Sequence, residues 1–268
     1  MAEKHGRNKN NGRTPRSTGL RWWWVLVLTP FIGLALMLAI AATSDDLPST
    51  TELQNPRSDL ATAVLFSDGS LMGQYYRENR IPVDYDRISP NVVNALIATE
   101  DERFREHSGI DVRSTLRALV FLGKKGGAST ITQQLAKLLY TGDERDAARK
   151  LREWLYAAEM ERTLGKGRIL QLYLALLPWG DGICGAEAAA RHHLGKSASQ
   201  LKPREAAWLA SLLINPDQQL RRWSSDEAAA RERAAWVLKG IRRLPRERRE
   251  AELDALVSWR PPVGRAAH

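Results

Sequence analysis

Two stretches decide the reading of this chain: Glu100–Gly109, EDERFREHSG, and Gly126–Lys137, GGASTITQQLAK. In the first, Glu100, Phe104 and His107 fall at i, i+4 and i+7. A helix begun near Asn91 and continued through them would set a carboxylate beside an aromatic ring and an imidazole. Apolar contact disfavours the charged form of a carboxyl group and moves its pKa towards the range of a general base. The same spacing also fits a solvated acidic turn with Phe104 in the core.

In the second stretch, glycines free the backbone ahead of Ser129 and Thr130, two hydroxyls at a helix N-terminus, and Gln133, Gln134 and Lys137 follow along the helix. Backbone N–H groups at such a start point outward and the helix dipole favours negative charge, so the segment reads as an anion site. An ordinary Ser/Thr cap on a surface helix is the alternative. Downstream, Arg149 and Glu153 at i, i+4 fit a surface ion pair. They also fit a second arrangement, with Glu153 facing Glu100 as a further carboxylate and Arg149 and Lys150 beside Lys137 to hold a leaving pyrophosphate. Two carboxylates and a cluster of cations are what glycosyl transfer from a pyrophosphate donor requires.

Outward from these motifs the text is helical. The segments 91–104, 129–140, 146–164, 168–177, 203–213 and 226–243 carry the apolar periodicity, which predicts a mainly α domain. Gly165–Gly167 and Pro178–Gly185 read as loops, and Pro203 opens its helix at a good N-terminal position. Upstream, Ala61–Phe66 and Leu71–Tyr76 flank Ser67-Asp68-Gly69-Ser70, a hairpin signal. Residues 43–59, rich in Ser, Thr, Asp, Pro and Asn, read as a linker, so the domain is expected over 60–245, with a basic tail over 246–268.

Trp22–Ala42 carries no Asp, Glu, Lys or Arg, and its 21 residues suffice for a transmembrane helix. Lys4, Arg7, Lys9, Arg13, Arg16 and Arg21 precede it, a basic tail over 1–21 that predicts a cytoplasmic N-terminus and an extracytoplasmic domain. A cleaved signal peptide is the competing reading, given Ala39 and Ala41. The net charge of +9 divides into +5 over 1–21, −1 over 43–220 and +5 over 221–268. Basic ends around a near-neutral middle fit an anionic lipid surface, and no nucleic-acid signature accompanies them. Cys184 is the single cysteine, which excludes an intramolecular disulfide, and among small residues it reads as a buried structural thiol. Ser199-Gln200-Leu201-Lys202 matches S-x-x-K, but no S-D-N or K-T-G follows. His192 and His193 lack companions at metal-ligand spacing and read as structural.

At these residues the chain resembles the peptidoglycan glycosyltransferases of glycosyltransferase family 51, and within them the monofunctional biosynthetic transglycosylases. EDERFREHSGID resembles the first family motif, GGASTITQQLAK the second and RKLRE the third. GKGRILQLYLALLPWGDGICGAEAAARHHLGK and EAAWLASLLINP are similar to the fourth and fifth, the likeness running from about Leu60 to Leu244. The resemblance implies a lysozyme-like, mainly α glycosyltransferase domain with a small N-terminal β-hairpin, preceded by one transmembrane helix in the cytoplasmic membrane. It implies Glu100 as the general base on the acceptor 4-hydroxyl and Glu153 as the second essential carboxylate. Lys137, Arg149, Lys150, Ser129, Thr130, Gln133, Gln134 and His107 are the implied substrate and pyrophosphate contacts. A divalent cation, Mg or Mn, is the one cofactor the resemblance allows, with no organic cofactor.

The implied reaction polymerises lipid II onto a lipid-linked glycan strand through β-1,4 linkages, with inversion and release of undecaprenyl pyrophosphate. The membrane and cell-wall synthesis proteins are the implied partners, and no nucleic acid. The family's membrane-dipping segment would fall on Ala118–Leu122, flanked by Arg117, Lys124 and Lys125, and a plain core helix end is the alternative reading of the same residues. Three positions depart from the family pattern: Leu138 and Ala175 stand where Asn is usual, and Gln171 where an acidic residue is common. These departures leave open a weakened, lipid II-binding scaffold. A lysozyme-like glycan-cleaving enzyme, which needs no pyrophosphate-binding cations, is the other alternative.

Overall fold

The computed structural model describes residues 62–68, 70–75, 79–81, 83–121, 127–141, 147–180 and 182–262, together with positions 24, 25, 28, 29, 31–33, 35, 51 and 52. The chain divides into two units, Met1–Asp45 and Asp46–His268. In the first unit every described position is helical, and Trp24, Val25, Leu28, Phe31 and Ile32 are exposed. The rest of the expected span 22–42, and the basic tail 1–21, lie outside the described residues. Among those described, no helix is long and apolar enough to cross a membrane. The expected linker 43–59 is described only at 51 and 52, which are helical.

The second unit opens with the expected hairpin. Strands β1 (Thr62–Leu65) and β2 (Leu71–Tyr75) pair antiparallel, with an irregularity between Val64 and Leu65. The Asp68 carboxylate closes the turn by accepting from the Ser70 backbone N–H at 2.8 Å and from its hydroxyl at 2.6 Å, a local bond that Asp supplies and most residues cannot. A short β3 (Asn79–Arg80) pairs in parallel with β4 (Ile183–Cys184), and Cys184 is buried there as expected.

Ten helices follow among the described residues: α1 (Pro90–Glu100), α2 (Val112–Val120), α3 (Ile131–Ala136), α4 (Ala147–Thr163) and α5 (Gly165–Leu176), then α6 (Ala186–Leu194), α7 (Pro203–Ser211), α8 (Pro216–Ser225), α9 (Glu227–Gly240) and α10 (Arg246–Ser258). The unit is mainly α, as the periodicity predicts. Helix α7 is buried on nearly every side, and α1, α9 and α10 pack around it. Its polar side chains are satisfied there, Glu205 by the Lys202 N–H and the Lys196 ammonium and Ser211 by Trp208 O. Trp208 of α7 meets Trp223, Trp259 and the His193 ring edge to face, and His193 also meets His192, so both histidines serve the packing. A second group, α3, α4 and α5, packs mutually.

Three expectations are corrected. The loop at Gly165–Gly167 is a one-residue break at Leu164, because Gly165 takes φ 68° and restarts the helix at once. The helix expected over 226–243 ends at Gly240. The tail expected from 246 is instead helix α10 as far as Ser258. Leu256 is buried and Arg204 pairs with Glu252 at 2.8 Å, which docks α10 on α7. Apolar positions are sparse in that segment, so periodicity alone misses it.

Candidate active site

Helix α1 stops at Glu100. Asp101 leaves the helical region (φ −160°, ψ 76°) and caps it, so the expected helix through Phe104 and His107 does not persist. Phe104 enters the core. The His107 Nε2 lies 3.0 Å from both oxygens of Asp101 rather than near Glu100. Asp101 Oδ2 also accepts from the Ile131 backbone N–H at 3.0 Å, the first N–H of α3. The first N–H of α3 is therefore taken by the protein's own carboxylate.

Further bonds lock the two motifs together. Thr130 caps α3 by accepting from the Gln133 N–H, and its hydroxyl donates to Gly109 O at 2.6 Å. Gln133 Nε2 donates to the same carbonyl at 3.2 Å. Gly109 has φ 89°, and a Cβ there would stand 2.9 Å from the Ala157 backbone of α4, so only glycine allows this approach. Lys166 adds a third tie, donating to His107 O and to Glu161 Oε1, each at 2.6 Å, with its ammonium 4.2 Å from the Phe104 ring centroid. Glu161 in turn accepts from Thr132.

What this bracing presents is a cleft of about 650 Å³ whose wall includes Glu100, Ser129, Thr130 and Gln134, with Arg117 of α2 and Trp236 of α9. Glu100 Oε2 accepts from Gln134 Nε2 at 2.9 Å, and Gln134 Oε1 accepts from the Tyr173 hydroxyl at 2.6 Å. Burial pushes the Glu100 carboxyl above its ordinary value, against the opposing pull of the Gln134 bond and the Arg233 charge, and the neighbouring Asp101 charge adds to the rise. A half-buried carboxylate with a raised pKa, open to a cleft, is equipped to take a proton.

Glu153 is 2% exposed, so the surface ion pair gives way to a buried one. Arg149 donates to one of its oxygens and Lys150 to the other, the latter at 2.8 Å. Lys150 also donates to the Ser129 hydroxyl at 2.9 Å, and so carries positive charge from this triad to the cleft wall. Both Glu153 oxygens are thus engaged by protein cations. Among the described residues no group of three or more His, Cys, Asp or Glu could hold a metal. The positive charge at this place comes from Arg149 and Lys150.

Of the ten positions singled out in the sequence, Glu100, Ser129, Thr130 and Gln134 line the cleft and the Arg149–Lys150–Glu153 triad reaches it through Ser129. His107 and Gln133 do not line it and brace the motifs from behind. Lys137 caps α3, opens the π-helical turn Lys137–Thr141 and is not part of the cleft wall. Neither Leu138 nor Ala175 lines the cleft. Ala175 borders a separate cavity of about 270 Å³ with Gln171, Arg168 and Arg87. Sequence reasoning missed Asp101, Tyr173, Arg233 and Trp236. The one signal available for the last two was their i, i+3 spacing on a helix.

Comparison with known proteins gives a consistent result. The transglycosylase family model matches residues 68–242. A biosynthetic peptidoglycan transglycosylase of Nitrosomonas eutropha is 46% identical over 142 residues, covering 50% of this chain and 57% of that protein. One of Alcanivorax borkumensis is 37% identical over 214 residues, covering 78% of this chain and 84% of its own. Penicillin-binding protein 1A of Escherichia coli is 40% identical over 189 residues, 69% of this chain and 22% of that protein. The chain thus spans little more than half of the first of these relatives and about a fifth of the last.

Proposed function

From the premise that this chain belongs to the transglycosylase family, we propose that it is a peptidoglycan glycosyltransferase that polymerises lipid II. One observation carries the reading: Glu100 is half-buried, with raised pKa and a fixed hydrogen-bond donor, in a cleft to whose wall Lys150 brings positive charge through Ser129.

In this reaction Glu100 removes the proton of the acceptor 4-hydroxyl as that oxygen attacks the anomeric carbon of the donor glycan. The bond from that carbon to the pyrophosphate oxygen breaks, a β-1,4 bond forms with inversion, and the electron pair leaves on undecaprenyl pyrophosphate. Gln134 keeps Glu100 aimed, and fixed aim is worth more than strength at the moment of transfer. Arg149 and Lys150 offset the diphosphate charge as it develops, with Glu153 holding both in place. A glycan hydrolase has no use for that triad. A scaffold reading rests on Leu138 and Ala175, and their position outside the cleft favours the enzyme.

Two features support a membrane setting. Val112, Leu116 and Val120 of α2 are 64, 56 and 72% exposed at i, i+4, i+8, on one face of the helix. This face begins earlier than the expected Ala118–Leu122, and Leu122, Lys124 and Lys125 lie outside the described residues. The apolar, exposed helical positions between 24 and 35 fit a single-pass anchor with the N-terminus inside and the domain outside. The test is incubation of the detergent-purified full chain with labelled lipid II, followed by muramidase digestion. Muramidase-sensitive polymer supports the reading, and a folded protein that binds lipid II without extending it would replace it with the scaffold.

A further inference from the structure

The cleft contains an indole for which the chemistry above has no use. Trp236 of α9 is 52% exposed, and of the large apolar side chains exposed among the described residues it alone lines the cleft. The apolar face of α2, at Val112, Leu116 and Val120, takes no part in that wall. The ring is held. The Arg233 guanidinium, one turn earlier, lies over it at 4.6 Å from the centroid. Ala234, Val237 and Leu238 around it are buried, and α9 packs on α1 and α7, so the indole is carried on a rigid element. Lys239 adds a donor on the same wall.

A flat aromatic surface 52% open to water inside a polar cleft, with Lys239 on the same wall, matches the surface of a pyranose. Such a ring presents C–H groups on its faces and hydroxyl and acylamino groups around its rim. An apolar face covers the indole, and the rim groups find the Lys239 donor. We propose that Trp236 is a sugar-stacking platform, on which one N-acylated hexosamine ring of the glycan lies and which sets the register of the strand relative to Glu100. This subsite rests on the glycosyltransferase reading of the cleft. Its ligand is the sugar backbone itself, independent of the lipid and the pyrophosphate.

The test uses the full chain in detergent and two variants, Trp236→Leu and Trp236→Phe, the second keeping an aromatic face. In the first arm, saturation-transfer NMR is recorded with the β-1,4 tetramer of N-acetylglucosamine as probe. Transfer to the tetramer is expected for the wild type and for Trp236→Phe and is expected to be lost in Trp236→Leu. In the second arm, the KM for lipid II rises about 3- to 10-fold in Trp236→Leu with kcat within about twofold, the size of one aromatic contact, and Trp236→Phe recovers most of it. Absence of transfer to the wild type, or equal transfer to Trp236→Leu, would overturn the proposal. If the wild type makes no polymer, the reaction assignment fails while the tetramer arm still decides the role of Trp236.

Discussion

The Tyr173 hydroxyl donates to Gln134 Oε1 at 2.6 Å, and this fixes which end of the Gln134 amide faces Glu100: the NH2 group, 2.9 Å from Oε2. Tyr173 is fully buried and its phenol is pushed well above its ordinary pKa by burial and by the nearby Glu100 and Asp101 charges, so it remains a donor throughout the working pH range. Removing the hydroxyl frees the amide to turn. Tyr173→Phe is expected to lower kcat about 5-fold, the worth of roughly 1 kcal/mol of hydrogen bonding, with KM for lipid II unchanged. A steady-state measurement of both constants checks it, and a change in KM alone would assign Tyr173 to substrate binding.

The raised pKa of Glu100 has an expected signature in activity. kcat/KM should fall as pH drops through that value, above the ordinary 4.5 of a glutamate. Gln134→Leu deletes a bond that stabilises the ionised form, so the same limb should move to higher pH. A limb that stays in place in Gln134→Leu would show that another group controls it.

Stability should respond with the opposite sign. A carboxyl whose folded pKa is raised binds its proton more tightly in the folded state, so stability is lost as pH rises from 4.5 through the folded value and the loss is complete above it. Glu100→Gln removes that ionisation. Its melting temperature should exceed that of the wild type at pH 7 and converge with it below about pH 4. Calorimetry at the two pH values decides the point.

Glu153→Gln leaves Arg149 and Lys150 without their shared counter-charge. Because Lys150 is partly exposed, the expected destabilisation is about 2 kcal/mol, below that of a fully buried pair. The loss of turnover should be larger, on the order of 100-fold, as for other groups that stabilise developing charge. Denaturant titration and polymerisation rates on the same preparation separate the two effects.

Glu100 is legible in the sequence because acid, aromatic and imidazole recur at a suggestive spacing, yet the spacing misassigns their contacts. Helix propensity runs on past Glu100, whereas the structure ends the helix there so that Asp101 can cap it and reach Ile131, a bond spanning 30 residues. Gln134 and Tyr173 are 39 residues apart, and no local pattern announces that α3 and α5 bring them together. The hairpin is legible for the opposite reason, since Asp68 and Ser70 make their bonds within the turn. Helix α10 escapes a periodicity reading because its docking depends on Leu256 and the Arg204–Glu252 pair rather than on an apolar stripe.

The exposed face of α2 yields a prediction of membrane contact. Val112→Ser with Leu116→Ser and Val120→Ser should weaken sedimentation of the domain with anionic vesicles by roughly 10- to 150-fold, at about 0.5–1 kcal/mol per side chain removed from the interface. The melting temperature should hardly change, because these residues are exposed. A large fall in melting temperature would show that the face packs within the protein.

The most direct measurement is the rate of lipid II polymerisation by the wild type beside Glu100→Gln, both confirmed folded by their melting curves. A general base is worth about 10²- to 10⁴-fold. The account requires a loss of that size in the variant, with lipid II binding retained. Equal rates in the two proteins would contradict it and remove Glu100 from the chemistry.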